Sequence, residues 1–209
     1  GTRHTDRAGY QTMSFMDECK DRDPRMLATL RGKGFKVDGK TTPADLKVAN
    51  TGYHLCKYYV GKKYESYSEV DLPVFRYAEV LLLYAEAKFL VDGDADGAGL
   101  RALNEVRRRA QIPEVSALTY QIIKDERRAE LFTEQERYFD LVRWGDAPTV
   151  LKDKGKTYYQ FYGYKPGTTE WDVRPVEGKG SGWQDKYNLL PFPFEQISAN
   201  PNLEQNPGW

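Results

Sequence analysis

Sulfur and imidazole are scarce in this chain of 209 residues, which holds two cysteines, two histidines and three methionines. Cys19 and Cys56 form neither a CxxC pair nor a metal-type spacing, which leaves a disulfide or a pair of buried thiols. No histidine follows His54, so the chain lacks the Glu-x-x-His pairs from which helical bundles build two-metal centres. An excess of either charge is missing too, because 31 Lys and Arg balance 31 Asp and Glu. That balance gives no electrostatic footprint for nucleic acid. Long apolar runs are absent: Val80–Tyr84 is far too short to cross a bilayer. The polar start GTRHTDRAGYQT shows no signal-peptide core, so the sequence reads as a mature or trimmed form. What the chain does have is aromatic surface, 13% of residues with 15 tyrosines. Its length suits one domain, or two small ones, around a sizeable core.

The stretch TYQIIKDERRAELFTEQERYFDLVRWG, residues 119–145, organises the rest. It predicts one long helix, or two pieces joined near Thr133. Thr119 serves as N-cap and Gly145 as terminator. At about 100° per residue, Ile123, Glu126, Glu130, Arg137, Leu141 and Trp144 share a stripe. Glu126 and Glu130, four apart among apolar neighbours, repel unless cations lie between them. Two readings follow. One is a carboxylate site for acid–base or metal chemistry. The other, which we adopt, is a set of buried ion pairs that locks helices together, with Arg76 or Arg107 as partners.

Ahead of that stretch, Phe75–Val91 and Gly97–Gln111 read as two helices closed by Pro113, a helical hairpin of tetratricopeptide size. One hairpin and one covering helix leave an apolar face that further chain would bury. The link Asp92-Gly93-Asp94-Ala95-Asp96-Gly97 looks like half a calcium loop, but Leu103 stands where the bidentate glutamate belongs. The aspartates suit a polar turn at a helix N-terminus equally well, and no tight calcium site is expected. Residues 34–41 match G-x-x-x-x-G-K-[ST]. That phosphate cradle needs a buried strand before it and a helix opening at Lys40. Charged residues precede it and Pro43 follows, so we expect a loop. Residues 1–70 otherwise read as loops with short strands.

After Gly145 helical periodicity ends. Residues 156–187 interleave aromatics with glycines and read as a long irregular segment. Its rings either stack on a ligand or plug the segment onto the helices. The tail YNLLPFPFEQISANPNLEQNPGW reads as extended and proline-punctuated, with one short turn near Glu195–Ser198.

Taken in order, DPRMLATL, TGYHLCKYYVG, RYAEVLLLYAEA, LNEVRRRA, ERRAELFTEQERYFDLVRWG and NLLPFPFEQISANPNLEQNPGW resemble the C-terminal region of the SusD/RagB family. The resemblance implies a mainly α fold: a tetratricopeptide-like hairpin plus a third long helix, with long irregular loops. It implies a single domain over 1–209, with a loop-rich leading segment (1–73), a helical core (74–145) and an aromatic loop and extended tail (146–209). It also implies a non-catalytic glycan or nutrient binder, exported as a lipoprotein to the cell surface of Bacteroidetes-type bacteria and anchored by lipid outside this sequence. The implied partner is a SusC-type TonB-dependent transporter, and no cofactor or metal is implied. Family chains are considerably longer, so this sequence reads as a C-terminal fragment. The family's ligand contacts carry no motif to transfer, so candidate rings come from the aromatic loops: Trp171, Trp183 and Tyr162 in the second, Tyr53 and Tyr58 in the first. Two other functions stand beside this one. They are a glycoside hydrolase using the carboxylates of Glu126–Glu134, and a protein-interaction module.

Overall fold

A computed structural model describes residues 19–31, 36–37, 40–41, 53–58, 71, 73–168 and 171–209. In chain order these form α1 (Arg25–Thr29), β1 (Leu30–Arg31), β2 (Lys36–Val37), β3 (Lys40–Thr41), β4 (His54–Leu55), α2 (Tyr77–Asp92) and α3 (Ala98–Arg109). Then follow α4 (Tyr120–Glu130), α5 (Arg137–Arg143), α6 (Ala147–Val150), β5 (Thr157–Tyr164), β6 (Trp171–Glu177), a 3-10 turn (Asp185–Asn188) and α7 (Phe194–Ala199). The fold is mainly α, as the sequence predicts. Two compact units emerge, one of Gly1–Gln135 with Gln160–Arg174, the other of Glu136–Tyr159 with Pro175–Trp209.

In the first unit α2 and α3 form the expected hairpin, and α4 packs on α2. Gly93 ends α2 at φ 69°, a left-handed turn that a side chain resists. The aspartates of the link are spent on the turn. Asp94 accepts from the Gly99 and Leu100 N–H groups (2.6 and 2.8 Å), which starts α3, and Asp92 and Asp96 both pair with Lys88. The core is Leu82, Ala85, Leu103, Val106 and Ile123, flanked by Phe89, Leu118 and Ile122. Asn104 clamps the segment after α3: its amide donates to the Val115 carbonyl and accepts from the Val115 N–H, both at 2.9 Å.

Thr119 caps α4 as predicted, its hydroxyl oxygen accepting from the Ile122 N–H at 3.1 Å. Gly145 follows α5 at φ 71°. Between the helices, Thr133 and Gln135 take left-handed backbone (φ 75° and 69°), so the stretch is two pieces and not one. The expected common stripe therefore stops at α4, with Ile123, Glu126 and Glu130 buried. Leu141 is buried on α5, while Trp144 lies beneath the guanidinium groups of Arg137 and Arg143.

Among the described residues of the leading segment lie short strands, as expected, with β1 antiparallel to β4 (Leu30 opposite Leu55), and also the helix α1, which was not expected. β2 and β3 pair antiparallel, which puts Lys40 in a strand where a phosphate loop needs a helix start. The other residues of that motif fall outside the described ones, apart from Lys36, Val37 and Thr41. Neither cysteine is in a disulfide; Cys19 is buried and Cys56 half-buried. Burial pushes the Cys56 thiol up, with Arg31 opposing.

The irregular segment expected after residue 156 contains a two-stranded ribbon, β5 with β6. The 165–170 link allows only an antiparallel return. TYYQFYGY and WDVRPVE are rich in aromatic and β-branched residues, and that propensity outweighed their glycine and proline. In the second unit the backbone passes so close to itself that a Cβ on Gly178 would lie 1.9 Å from the Gly155 carbonyl oxygen. The tail includes α7 where a short turn was expected, and otherwise has no ladder to satisfy its backbone. Side-chain amides substitute: Gln205 brackets both backbone groups of Phe192 (2.8 and 3.0 Å), and Asn206 donates to the Leu190 carbonyl.

Candidate functional site

The charged residues of α4 assemble a network inside the first unit. Glu126 and Glu130 are each 3% exposed. Arg25, from α1, donates through one nitrogen to both, at 2.7 and 2.9 Å. Arg107 of α3 reaches Glu126 at 2.6 Å, while Arg76 spans Glu130 (3.1 Å) and Glu134 (2.6 Å). Arg109 also pairs with Glu130, and Lys57 with Glu134. Arg76 and Arg107 were the partners expected. Arg25, Arg109 and Lys57 were not, and no local spacing could have shown them, since Arg25 lies about a hundred positions from its carboxylates.

Burial alone would raise the Glu130 carboxyl, yet hydrogen bonds from Arg25 and Arg109 hold it below the usual carboxylate range. Glu134 is likewise held low against its burial, by Arg76 and Lys57. Arg25 is raised well above its ordinary value, its own burial outweighed by Asp23 and the two glutamates. A general acid for glycoside hydrolysis needs a raised carboxyl, and these carboxylates are tuned the opposite way. Beside the network lies an open cleft of about 580 Å³, lined among others by Met26, Leu30, Ile122 and Phe132. Among the described residues no group of three or more metal-ligating side chains forms.

The candidate rings fall in different surroundings. Tyr162, on β5, is 48% exposed, with the Arg174 guanidinium 5.0 Å from its ring centre. Arg174 in turn donates to Asp172 at 2.9 Å and holds that carboxyl below its usual range. Ring, cation and carboxylate thus sit together on the ribbon. Tyr58 is exposed, on left-handed backbone (φ 66°), next to Arg76 and Glu134. Tyr53 is half-buried. Trp171 opens β6, but its side chain lies outside the described residues.

Trp183 belongs to a chain of rings in the second unit. It meets Tyr138 at 6.3 Å and Tyr187 at 5.9 Å, and Tyr187 meets Trp209 at 5.5 Å. The Trp183 indole N–H is buried with no hydrogen-bond partner among the described residues. Trp209 is fixed by donating to the Leu189 carbonyl at 3.0 Å, under the Lys186 ammonium at 4.3 Å. The sequence did not single out Trp209 or Lys186, because a terminal tail carries no periodicity to read.

Comparison with known proteins bears on both units. The SusD family model matches residues 1–209. The starch-binding protein SusD of Bacteroides thetaiotaomicron is 34% identical over 145 residues, which are 69% of this chain and 22% of that protein. A SusD-like protein of Bacteroides ovatus is 34% identical over 122 residues, 57% of this chain and 21% of the relative. The chain thus spans about a fifth of the length of these curated relatives. Among solved structures, a SusD-like protein from Bacteroides fragilis superposes with a TM-score of 0.68 at 24% identity, covering 93% of this chain and 41% of that one. A laminarin-binding SusD-like protein gives 0.56 at 26% identity, covering 90% and 35%. A family model that matches the whole sequence, together with these relatives, makes the assignment: the chain belongs to the SusD family.

Proposed function

We propose that this chain is part of a non-catalytic, cell-surface binder of glycans or related nutrients, which passes its ligand to a SusC-type TonB-dependent transporter. The observation that carries the reading is its 34% identity to a protein named for starch binding. The laminarin-binding neighbour adds a second polysaccharide to the class. The protein is held at the cell surface by a lipid anchor. No described helix is long and apolar enough to cross a membrane.

Sugars carry many hydroxyls and few charges, so a flat ring flanked by hydrogen-bonding groups is the fitting receptor. Tyr162 beside Arg174 and Asp172 supplies that set on one strand ribbon. Trp171 on the same ribbon, Tyr53 and Tyr58 in the leading segment, and Trp183 with its buried donor are the further candidates. The test is affinity electrophoresis through starch and laminarin, with the chain carried in a polypeptide of family length. Retardation by either glycan, weakened several-fold by Tyr162→Ala at unchanged melting temperature, supports the assignment. Release of reducing sugar that Glu130→Gln abolishes would replace it with a hydrolase.

A further inference from the structure

On the strand ribbon a carboxylate and a guanidinium are locked together beside the Tyr162 ring. Asp172 and Arg174 are two apart on β6, so they share a face. Nε of Arg174 donates to one oxygen of Asp172 at 2.9 Å, and Nη2 donates to the other at 2.5 Å. Two parallel bonds of this kind hold both planes in one orientation. The guanidinium lies 5.0 Å from the Tyr162 ring centre, so ring, cation and carboxylate form one set. Lys165 is the other cation that acts on Asp172, and it has further interactions of its own.

A second triad of the same residue types shows what a purely structural version looks like. Trp144 lies 4.9 Å from the guanidinium of Arg143, which donates to Asp140 at 2.7 and 3.0 Å. There the carboxylate is buried, its side chain 3% exposed, and it has other partners in the fold. On the ribbon the pair faces water: Arg174 exposes 63% of its side chain and Asp172 23%. Exposed pairs add little stability, so what the fork supplies here is orientation. An ionised carboxylate has about four acceptor positions, and the fork takes one on each oxygen. Among the described residues no other group bonds to either side chain.

Donors and acceptors decide what this set matches. Two neighbouring hydroxyls of a sugar ring can each donate and accept. One donates to Asp172 while the other accepts from Arg174, and the apolar face of the sugar lies beside Tyr162. A sulfate or uronate group offers acceptors only. It has no hydrogen to give Asp172, whose charge repels it, and the guanidinium that would answer it is already forked to that carboxylate. Arg174 also holds the Asp172 carboxyl below its usual range, so it stays an acceptor in mildly acid media. Resting on the glycan-binding reading above, we infer that the ribbon takes uncharged glycans through a pair of neighbouring hydroxyls, and that Asp172 is the residue that turns polyanionic glycans away.

The test is biolayer interferometry at physiological salt, with the chain carried in a polypeptide of family length. The immobilised probes are starch, laminarin, xylan and galactomannan, each beside its sulfated derivative. At least one uncharged glycan should bind, and its sulfated form should not. Asp172→Asn should weaken that binding about tenfold, the scale of a hydrogen bond to a charged group. It should also let the sulfated form bind, at an unchanged melting temperature because the pair is exposed. Equal binding of charged and uncharged forms overturns the inference and leaves glycan binding standing. So does binding of an uncharged glycan that survives both Asp172→Asn and Arg174→Gln, since the contact is then elsewhere. Continued exclusion of the sulfated form by Asp172→Asn overturns the role given to Asp172. Binding to none of these glycans removes the inference together with the reading it rests on.

Discussion

The two units are held together by opposite kinds of interaction. In the first, the carboxylates of α4 lie buried among Arg25, Arg76, Arg107 and Arg109. In the second, rings stack in series from Tyr138 through Trp183 and Tyr187 to Trp209. The first unit has long helices and three separate elements to lock in register, and charge pairs fix geometry well even where they add little net stability. The second has only short helices and an extended tail. Rings contribute large contact area per residue there, and amide side chains stand in for missing ladders. The units should therefore fail under different stresses.

The largest expected effect breaks the charged side. Glu130→Ala strips Arg25, Arg76 and Arg109 of a shared partner, and removing one member of a buried pair costs about 3–5 kcal/mol. Urea unfolding followed by far-UV circular dichroism checks the loss. A change below about 1 kcal/mol would mean that Glu126, Glu134 and Asp23 satisfy the arginines without Glu130, and that the loss of one carboxylate is not what breaks the charged side.

Acid sharpens the contrast with a smaller effect. The folded carboxyls of Glu130 and Glu134 lie below their ordinary value of 4.5. The stability they contribute is therefore present above about pH 4.5 and is lost as the pH falls through their folded values. Helical signal should weaken over that range while tryptophan emission from the ring stack keeps its wavelength. Simultaneous loss of both signals would remove the distinction between the units.

The smallest effect concerns the α2–α3 link. Asp94→Ala deletes the two N–H contacts that start α3, a cap worth about 1 kcal/mol. Millimolar calcium should leave the melting temperature of the unmutated chain unchanged, since the aspartates are already bonded within the turn. A rise of several degrees that Asp94→Ala abolishes would restore the calcium-loop reading.

Much of this was legible beforehand because it is local. Thr119 as a cap and Gly145 after α5 follow from side-chain and backbone chemistry within a few residues. The demand for arginines came from two glutamates one turn apart among apolar neighbours. The β5–β6 ribbon was less legible, since glycine, proline and aromatics in alternation are as compatible with a loop as with a strand.

The sequence alone determined that α2 is a helix, that it is apolar, and that Glu126 and Glu130 require cations. It could not determine which face of α2 turns inward, because a helix apolar all round has no amphipathic direction to read. Only packing against α3 and α4 decided that Glu79 and Glu86 go in while Val80, Leu90 and Val91 stay out. The choice of Arg25 was tertiary in the same sense. A cation a hundred residues distant meets its carboxylates only after the intervening chain has folded, and no periodicity spans that separation.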